Sequence, residues 1–302
     1  MTGTPAGNTP GNTPENTTAH PGHRVLDGTA RARDLRAGVQ AEAAALTLLG
    51  VPPTLAVVVA TDDEGAGWYV RSVSGAARRL GVACEVVDLG ASAAPELIEA
   101  TLARLSSDDR VHGILLQTPL PDGARVEQLA ASIVPEKDVD GANPLSAGRL
   151  AAGLPAYPPA TAAAVLDLLD HHGVEPAGRT AVVVGRSPAV GRPTAQLLLQ
   201  RDATVQICHR HTKDLAAHTR TADILVVAVG RAGLIRAEHV ADGAVVVDVG
   251  TNTASDGSLV GDVDAADVAR RPGALTPVPG GVGPVTTALL LTHTVRSARA
   301  QV

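Results

Sequence analysis

Aromatic side chains are nearly missing from this chain, which has no Phe, two Tyr and one Trp. Two of the three, Trp68 and Tyr69, are neighbours at the start of the stretch WYVRSVSGAARRLGV (68–82). That placement raises the question of whether the helix following them is a site or only core. Cysteine is scarce as well. Cys84 and Cys208 stand far apart, which argues against a disulfide framework and fits a reducing, cytoplasmic setting. No apolar run approaches the ~20 residues that a membrane-spanning helix requires, so no membrane partner is expected. No block of like charge stands out and the formal net charge is −6, so a nucleic-acid partner is not expected either. Lysine occurs only as Lys137 and Lys213.

What remains is aliphatic. Hydrophobic residues make up 45% of the 302, mostly Ala, Val and Leu, enough for a sizeable core in one large domain or two ordinary ones. Residues 1–22 are Thr, Asn, Pro and Gly with little to bury and read as a disordered tail. They have neither the basic start nor the apolar stretch of a signal peptide. From Leu55 onward, short Val-rich runs at 55–60, 83–89 and 113–117 alternate with helical stretches, as parallel strands covered on both faces do. A long Ala-rich helix, Thr29 to Leu49, precedes them and is ended by Gly50 and Pro52-Pro53. A second series follows at 181–185, 204–208, 223–230 and 244–250, a Rossmann-like succession. The chain closes with an apolar-faced helix, VTTALLLTHTVRSARA.

AVVVGRSPAVGRP (181–193) places a glycine turn between a strand and a helix. Gly185 and Gly191 there permit a tight turn and close approach of a phosphate to the helix N-terminus. The spacing is looser than the usual G-x-G-x-x-G, so the strand–turn–helix context carries the signal. The next strand ends in CHRHT, with Arg210 and no acid. An acid there would suit the ribose hydroxyls of NAD, whereas Arg210 and Arg186 suit the 2′-phosphate of NADP. Cys208, His209 and His211 lack a fourth ligand with convincing spacing, so no metal is expected.

VLDG (25–28), YV (69–70), GILLQTPLP (113–121), EKDVDG (136–141), GRSPAVGRP (185–193), TADILVVAVG (221–230), VVVDVGTN (245–252), VGDV (260–263) and TPVPGGVGP (276–284) occur in that order. With them the chain resembles the bifunctional methylenetetrahydrofolate dehydrogenase/methenyltetrahydrofolate cyclohydrolase (FolD-type) family from about Val25 to Thr294. The resemblance implies an α/β fold: an N-terminal catalytic, folate-binding domain, a Rossmann-like NADP-binding domain, and a C-terminal helix returning to the first. The corresponding division is 23–143 with 284–302, and 144–283. It also implies tetrahydrofolate derivatives as substrates, a homodimer, and a site at the interdomain cleft. There Tyr69, Gln117 and Asp140 would act on folate, alongside Pro279, Gly280 and Gly281. Gly185, Arg186, Ser187, Arg210 and Thr251 would hold the cofactor.

The departure is at Val73. The family's helix reads Tyr-Val-x-x-Lys, and here it reads Tyr69-Val70-Arg71-Ser72-Val73. Position 73 shares the face of Tyr69, and Tyr69, Val73, Ala76 and Leu80 form an apolar stripe that is equally explained as core. His112, before GILLQ, and PATA (159–162) are lesser departures. Three readings stay open: a bifunctional enzyme that compensates for the lysine, a dehydrogenase with little or no cyclohydrolase activity, and a silent homologue that binds folate or NADP.

Overall fold

A computed structural model describes residues 19–302. The expected tail therefore falls mostly outside the described residues, and its last part is corrected. The His20 amide donates to Ala269 O (2.8 Å) and the Gly273 amide to Gly22 O (3.3 Å), so 20–22 form a turn that leads directly into a strand.

That strand, β1 (His23–Val25), is followed by α1 (Thr29–Leu48). A βαβαβ unit comes next: β2 (Thr54–Val59), α2 (Glu64–Arg79), β3 (Ala83–Asp88), α3 (Pro95–Ser106) and β4 (Gly113–Leu116). Its sheet is parallel, in the order β3-β2-β4. The short helices α4 (Val126–Leu129) and α5 (Pro144–Ala151) and the longer α6 (Ala160–His171) lead to the second unit. There β5 (Thr180–Val184), α7 (Gly191–Leu199), β6 (Thr204–Cys208), α8 (Leu215–Thr219), β7 (Ile224–Val227) and β8 (Val245–Asp248) follow in turn. A small hairpin, β9 (Asn252–Thr253) with β10 (Leu259–Val260), then α9 (Ala265–Val268), β11 (Gly273–Leu275) and α10 (Val282–Ala300) complete the chain. The second sheet is also parallel, in the order β1-β11-β8-β7-β5-β6.

The Val-rich runs become the central strands because both their faces are covered. Every residue from Leu55 to Val59, and all of β4, β7 and β8, is buried. β1 departs from the expected division. Although it opens the chain's first unit in sequence, His23–Val25 pairs with Gly273–Leu275 at the edge of the second sheet. Two long helices likewise belong to both cores. Ala32 of α1 and Val282, Val285, Ala288 and Leu289 of α10 pack with the second unit's β5, β7 and β8. Val39, Ala43 and Leu46 of α1 and Leu290, Leu291, Val295 and Ala298 of α10 pack with β2 and α2. Burying a Val or Leu side chain is worth roughly 1.5–3 kcal/mol, so these two helices hold the sheets in a fixed relation. Gly113 marks where α10 crosses β4: a Cβ there would lie 2.9 Å from Thr294 Oγ1 and 3.0 Å from Val139 Cγ1.

Candidate functional site

The carboxyl ends of both sheets carry the residues that the sequence singles out. At the second sheet, Val184 of β5 pairs with Cys208 of β6, and the Gly185 amide donates to Cys208 O (2.9 Å). Arg186 and Arg210 each lie two residues beyond that pair, and both are exposed. Adjacent strands thus deliver two guanidinium groups to one edge. Arg210 Nε donates to His211 Nε2 (3.1 Å).

The glycines beside them are required by close approach. Gly185 has φ +132°, and a Cβ on it would lie 2.2 Å from Ala228 O. A Cβ on Gly191 would lie 2.2 Å from Gly185 O. The turn therefore lies flat on the start of α7, where Ser187 Oγ accepts from the Val190 and Gly191 amides (3.2 and 3.4 Å). A glycine cradle at a helix N-terminus with two arginines beyond it fits a phosphorylated dinucleotide.

Two carboxylates that sequence reasoning missed organise the neighbouring loops. Asp248 accepts from the amides of Gly250, Asp262 and Val263 (2.9, 3.0 and 2.9 Å). Asp262 accepts from the amides of Val229, Gly230 and Arg231 (2.7, 3.0 and 2.7 Å) and from Asn252 Nδ2 (2.9 Å). Burial pushes the Asp248 carboxyl up to about 6, against the pull of its three amide donors. The signal in sequence was an acid closing an otherwise apolar run in VVVDVG and another in VGDV. Thr251 sits exposed within this tied loop.

The loop after β11 meets the loop after β1. The Gly28 amide donates to Gly280 O (2.8 Å), and a Cβ on Gly28 would lie 2.0 Å from Gly281 O. The motifs VLDG and PVPGG are thereby clasped together, with Pro279 exposed and Gly281 buried.

At the first sheet the residues come together through the core. α2 is started by Asp63, whose carboxylate accepts from the Ala66 amide (2.7 Å), and it turns Val70, Val73 and Ala77 inward. Tyr69 packs on the cluster that contains Val73, Leu115, Val139 and Ala160. Asp140 follows Val139 directly, and Gln117 stands two residues past Leu115, with its amide donating to Val58 O (2.9 Å). Gln117 is nearly buried, and its Nε2 donates to Thr118 O.

The electrostatics here are those of a site without a cation. Burial pushes the Asp140 carboxyl up to about 7, reinforced by Asp138 and opposed by the Ala160 amide, which donates to Oδ1 at 3.4 Å. Burial, and then Asp140, push the Tyr69 phenol above its ordinary value. Neither lysine relieves this. Lys137 Nζ donates to Asp108 O (2.8 Å), and Lys213 is exposed in the turn after β6. Val73 is fully buried, at 0% exposure. Trp68, at 60% exposure, faces solvent instead of joining Tyr69 in the cluster. Among the described residues no group of three or more His, Cys, Asp and Glu has metal-binding geometry.

Comparison with known proteins agrees with this arrangement over almost the whole length. Residues 26–140 match the model of the tetrahydrofolate dehydrogenase/cyclohydrolase catalytic domain, and residues 159–302 match its NAD(P)-binding domain. The chain is 69% identical over 275 residues to the bifunctional protein FolD 1 of Saccharopolyspora erythraea, covering 91% of this chain and 94% of that protein. It superposes on the bifunctional enzyme FolD of Campylobacter jejuni with a TM-score of 0.90 at 39% identity, covering 93% and 100% of the two chains. It superposes with a TM-score of 0.88 at 36% identity on the Trypanosoma brucei enzyme complexed with NADP cofactor and inhibitor, covering 93% and 99%. The chain belongs to the FolD-type family of tetrahydrofolate dehydrogenase/cyclohydrolases.

Proposed function

We propose that this protein oxidises 5,10-methylenetetrahydrofolate to 5,10-methenyltetrahydrofolate with NADP, and that its cyclohydrolase step is very weak or absent. The observation that carries the second half is the fully buried Val73 at the position where the family's lysine is expected, with no other lysine in reach. NADP, when bound, supplies the hydride acceptor. The chain's own residues position the donor. Asp140 accepts from the donor edge of the pterin, Tyr69 lies against the folate ring system, and Gln117 orients the reacting carbon at the carboxyl end of β4. Arg186 and Arg210 bind the 2′-phosphate, Gly185, Ser187 and Thr251 hold the rest of the cofactor, and the Pro279-Gly280-Gly281 loop contacts the folate.

The two half-reactions make different demands. Loss of hydride from the methylene carbon leaves the methenyl cation and moves no proton, so positioning dominates. Hydrolysis adds water to that cation, removes a proton from the adduct and delivers one to N5 as the ring opens to 10-formyltetrahydrofolate. General acid–base help in such a step is worth roughly 10²–10⁴-fold, and valine can supply none of it.

A second reading, full bifunctionality, is favoured by the Asp140 carboxyl. At about 7 it can exchange a proton near neutral pH. Assay of the purified protein for each half-reaction separates the readings. NADP-linked oxidation without methenyl hydrolysis above the uncatalysed rate supports the proposal. Robust hydrolysis overturns its second half, and absence of both reactions overturns it entirely. The homodimer belongs to the same proposal and is read by light scattering of the purified chain.

A further inference from the structure

His293 lies in the middle of α10, on the face that crosses the first unit, and is buried at 3% exposure. Its Nδ1 is 2.9 Å from Val139 O. A carbonyl can only accept, so Nδ1 carries the proton and donates. The carbonyl concerned belongs to the peptide that joins Val139 to Asp140. The imidazole also packs on Tyr157, with ring centroids 5.1 Å apart and a tilt of 38°. Tyr157 closes the same turn from its other side. Gly141 has φ +63°, and a Cβ on it would lie 2.7 Å from Tyr157 O and 2.6 Å from Pro159 N. Asp140 is therefore bracketed: its preceding peptide is held by His293, its following glycine is pressed on 157–159, and its carboxylate takes the Ala160 amide.

We propose that His293 is a positioning residue for folate binding, which fixes the peptide plane from which Asp140 projects by donating from Nδ1 to Val139 O. The inference rests on the reading of Asp140 as the folate anchor. Burial holds the imidazole down at about 4, with Arg296 acting in the same direction and the Val139 carbonyl opposing. The ring is thus neutral across the working range and keeps the tautomer that the hydrogen bond needs. The final helix thereby contributes a polar device to the first unit in addition to the apolar contacts that dock it. Ser297, one turn on, donates from Oγ to Glu136 O (2.7 Å) and so holds the same segment without touching the Asp140 peptide.

The test is equilibrium binding of tetrahydrofolate and of NADP, by calorimetry, to the full chain and to the variants His293→Ala, His293→Asn, Ser297→Ala and Asp140→Ala. An Asn side chain can place an amide N–H where Nδ1–H now is. His293→Ala should weaken tetrahydrofolate roughly 10-fold with NADP changed less than about twofold, and His293→Asn should restore most of the loss. Ser297→Ala should leave folate binding unchanged. Unaltered folate binding in His293→Ala, or equal damage in His293→Asn, overturns the inference. Should His293→Ala fail to fold, the comparison of His293→Asn with Ser297→Ala decides alone: near-native folate affinity in the former supports the inference, and a folate-specific loss overturns it. Asp140→Ala separates the two levels. If it leaves folate affinity intact, the anchor reading fails; if it weakens folate while His293→Ala does not, only the positioning role fails.

Discussion

The two ends of this molecule that carry the candidate residues treat their acids differently. At the second sheet, carboxylates are satisfied by backbone: Asp262 takes three amides and Asn252, and Asp248 takes three amides. Gly185 and Gly191 there admit no side chain, since a Cβ on either would lie 2.2 Å from a backbone oxygen. At the first sheet, Asp138 is satisfied in the same way by the Ala142 and Asn143 amides (2.8 and 2.9 Å), but Asp140 beside it is left short of partners. Asp140 has one long amide contact and an acidic neighbour, and its carboxyl stands at about 7. A loop network complete in itself forms a rigid cradle. A half-buried acid short of donors is costly unless a ligand supplies them, as expected of a side chain that binds directly.

The sharpest way to break this contrast is at Asp262. Asp262→Ala would remove the shared acceptor of three backbone amides and of Asn252 Nδ2. Val229, Gly230 and Arg231 are exposed, so water takes over part of that role and each lost bond costs about 0.5–1.5 kcal/mol. It should lower the melting temperature by roughly 5 °C and weaken NADP with it, as read by thermal denaturation and calorimetry. The same substitution at Asp140 should have no such thermal cost.

Next in size is Val73→Lys. An ammonium beside Tyr69 should bring the Asp140 carboxyl down by more than one unit, read by carboxyl carbon NMR against pH. It should raise methenyl hydrolysis roughly 10–100-fold, at some cost in stability because a fully buried apolar site receives a charge. An unchanged Asp140 titration would mean that the two positions do not communicate.

The third concerns pH. The neutral Asp140 carboxyl is a poorer acceptor for the pterin's donors, so folate affinity should fall as pH drops below about 7. The decline should approach tenfold per unit in the limit of one obligatory deprotonation, measured by titration between pH 5.5 and 8, while Asp140→Asn should bind weakly at every pH.

The smallest effect is on stability. Asp140 is ionised in the unfolded chain above its ordinary 3.8 but keeps its proton when folded up to about 7. Its contribution therefore turns against the folded state as pH rises through that window. Asp140→Asn should then raise stability at pH 8 by about 1–2 kcal/mol, a few °C for a chain of this size. A melting temperature lower than the parent's would show that the ionised form has partners in the free protein.

The contrast also explains what could be read from the sequence. Central strands announce themselves as Val runs because both faces are covered, and the Gly185–Gly191 turn does so because its glycines interrupt such a run before a helix. β1 and β11 were invisible. Each is three residues long, and β1 is a strand only because Gly273–Leu275 lies beside it, some 250 residues away in sequence. The dual allegiance of α1 and α10 was half legible: the final helix was expected to return to the first unit, but nothing in a local pattern shows that its first half serves the other core. Asp248 and Asp262 lay inside motifs without an evident role, since a carboxylate that binds amides looks the same in sequence as one that binds a ligand. His293 carried no motif at all. Its meaning comes from Val139 O, supplied by a segment far away in the chain.

The most direct test of the central claim follows one reaction mixture of 5,10-methylenetetrahydrofolate, NADP and the unmodified protein, with NADPH, methenyltetrahydrofolate and 10-formyltetrahydrofolate measured together over time. If Val73 leaves the site without proton-transfer chemistry, NADPH and methenyltetrahydrofolate rise together, and 10-formyltetrahydrofolate forms no faster than it does from added methenyltetrahydrofolate without protein. Formation of 10-formyltetrahydrofolate in step with NADPH, with no accumulation of the methenyl compound, would contradict the account and show that another group does the lysine's work.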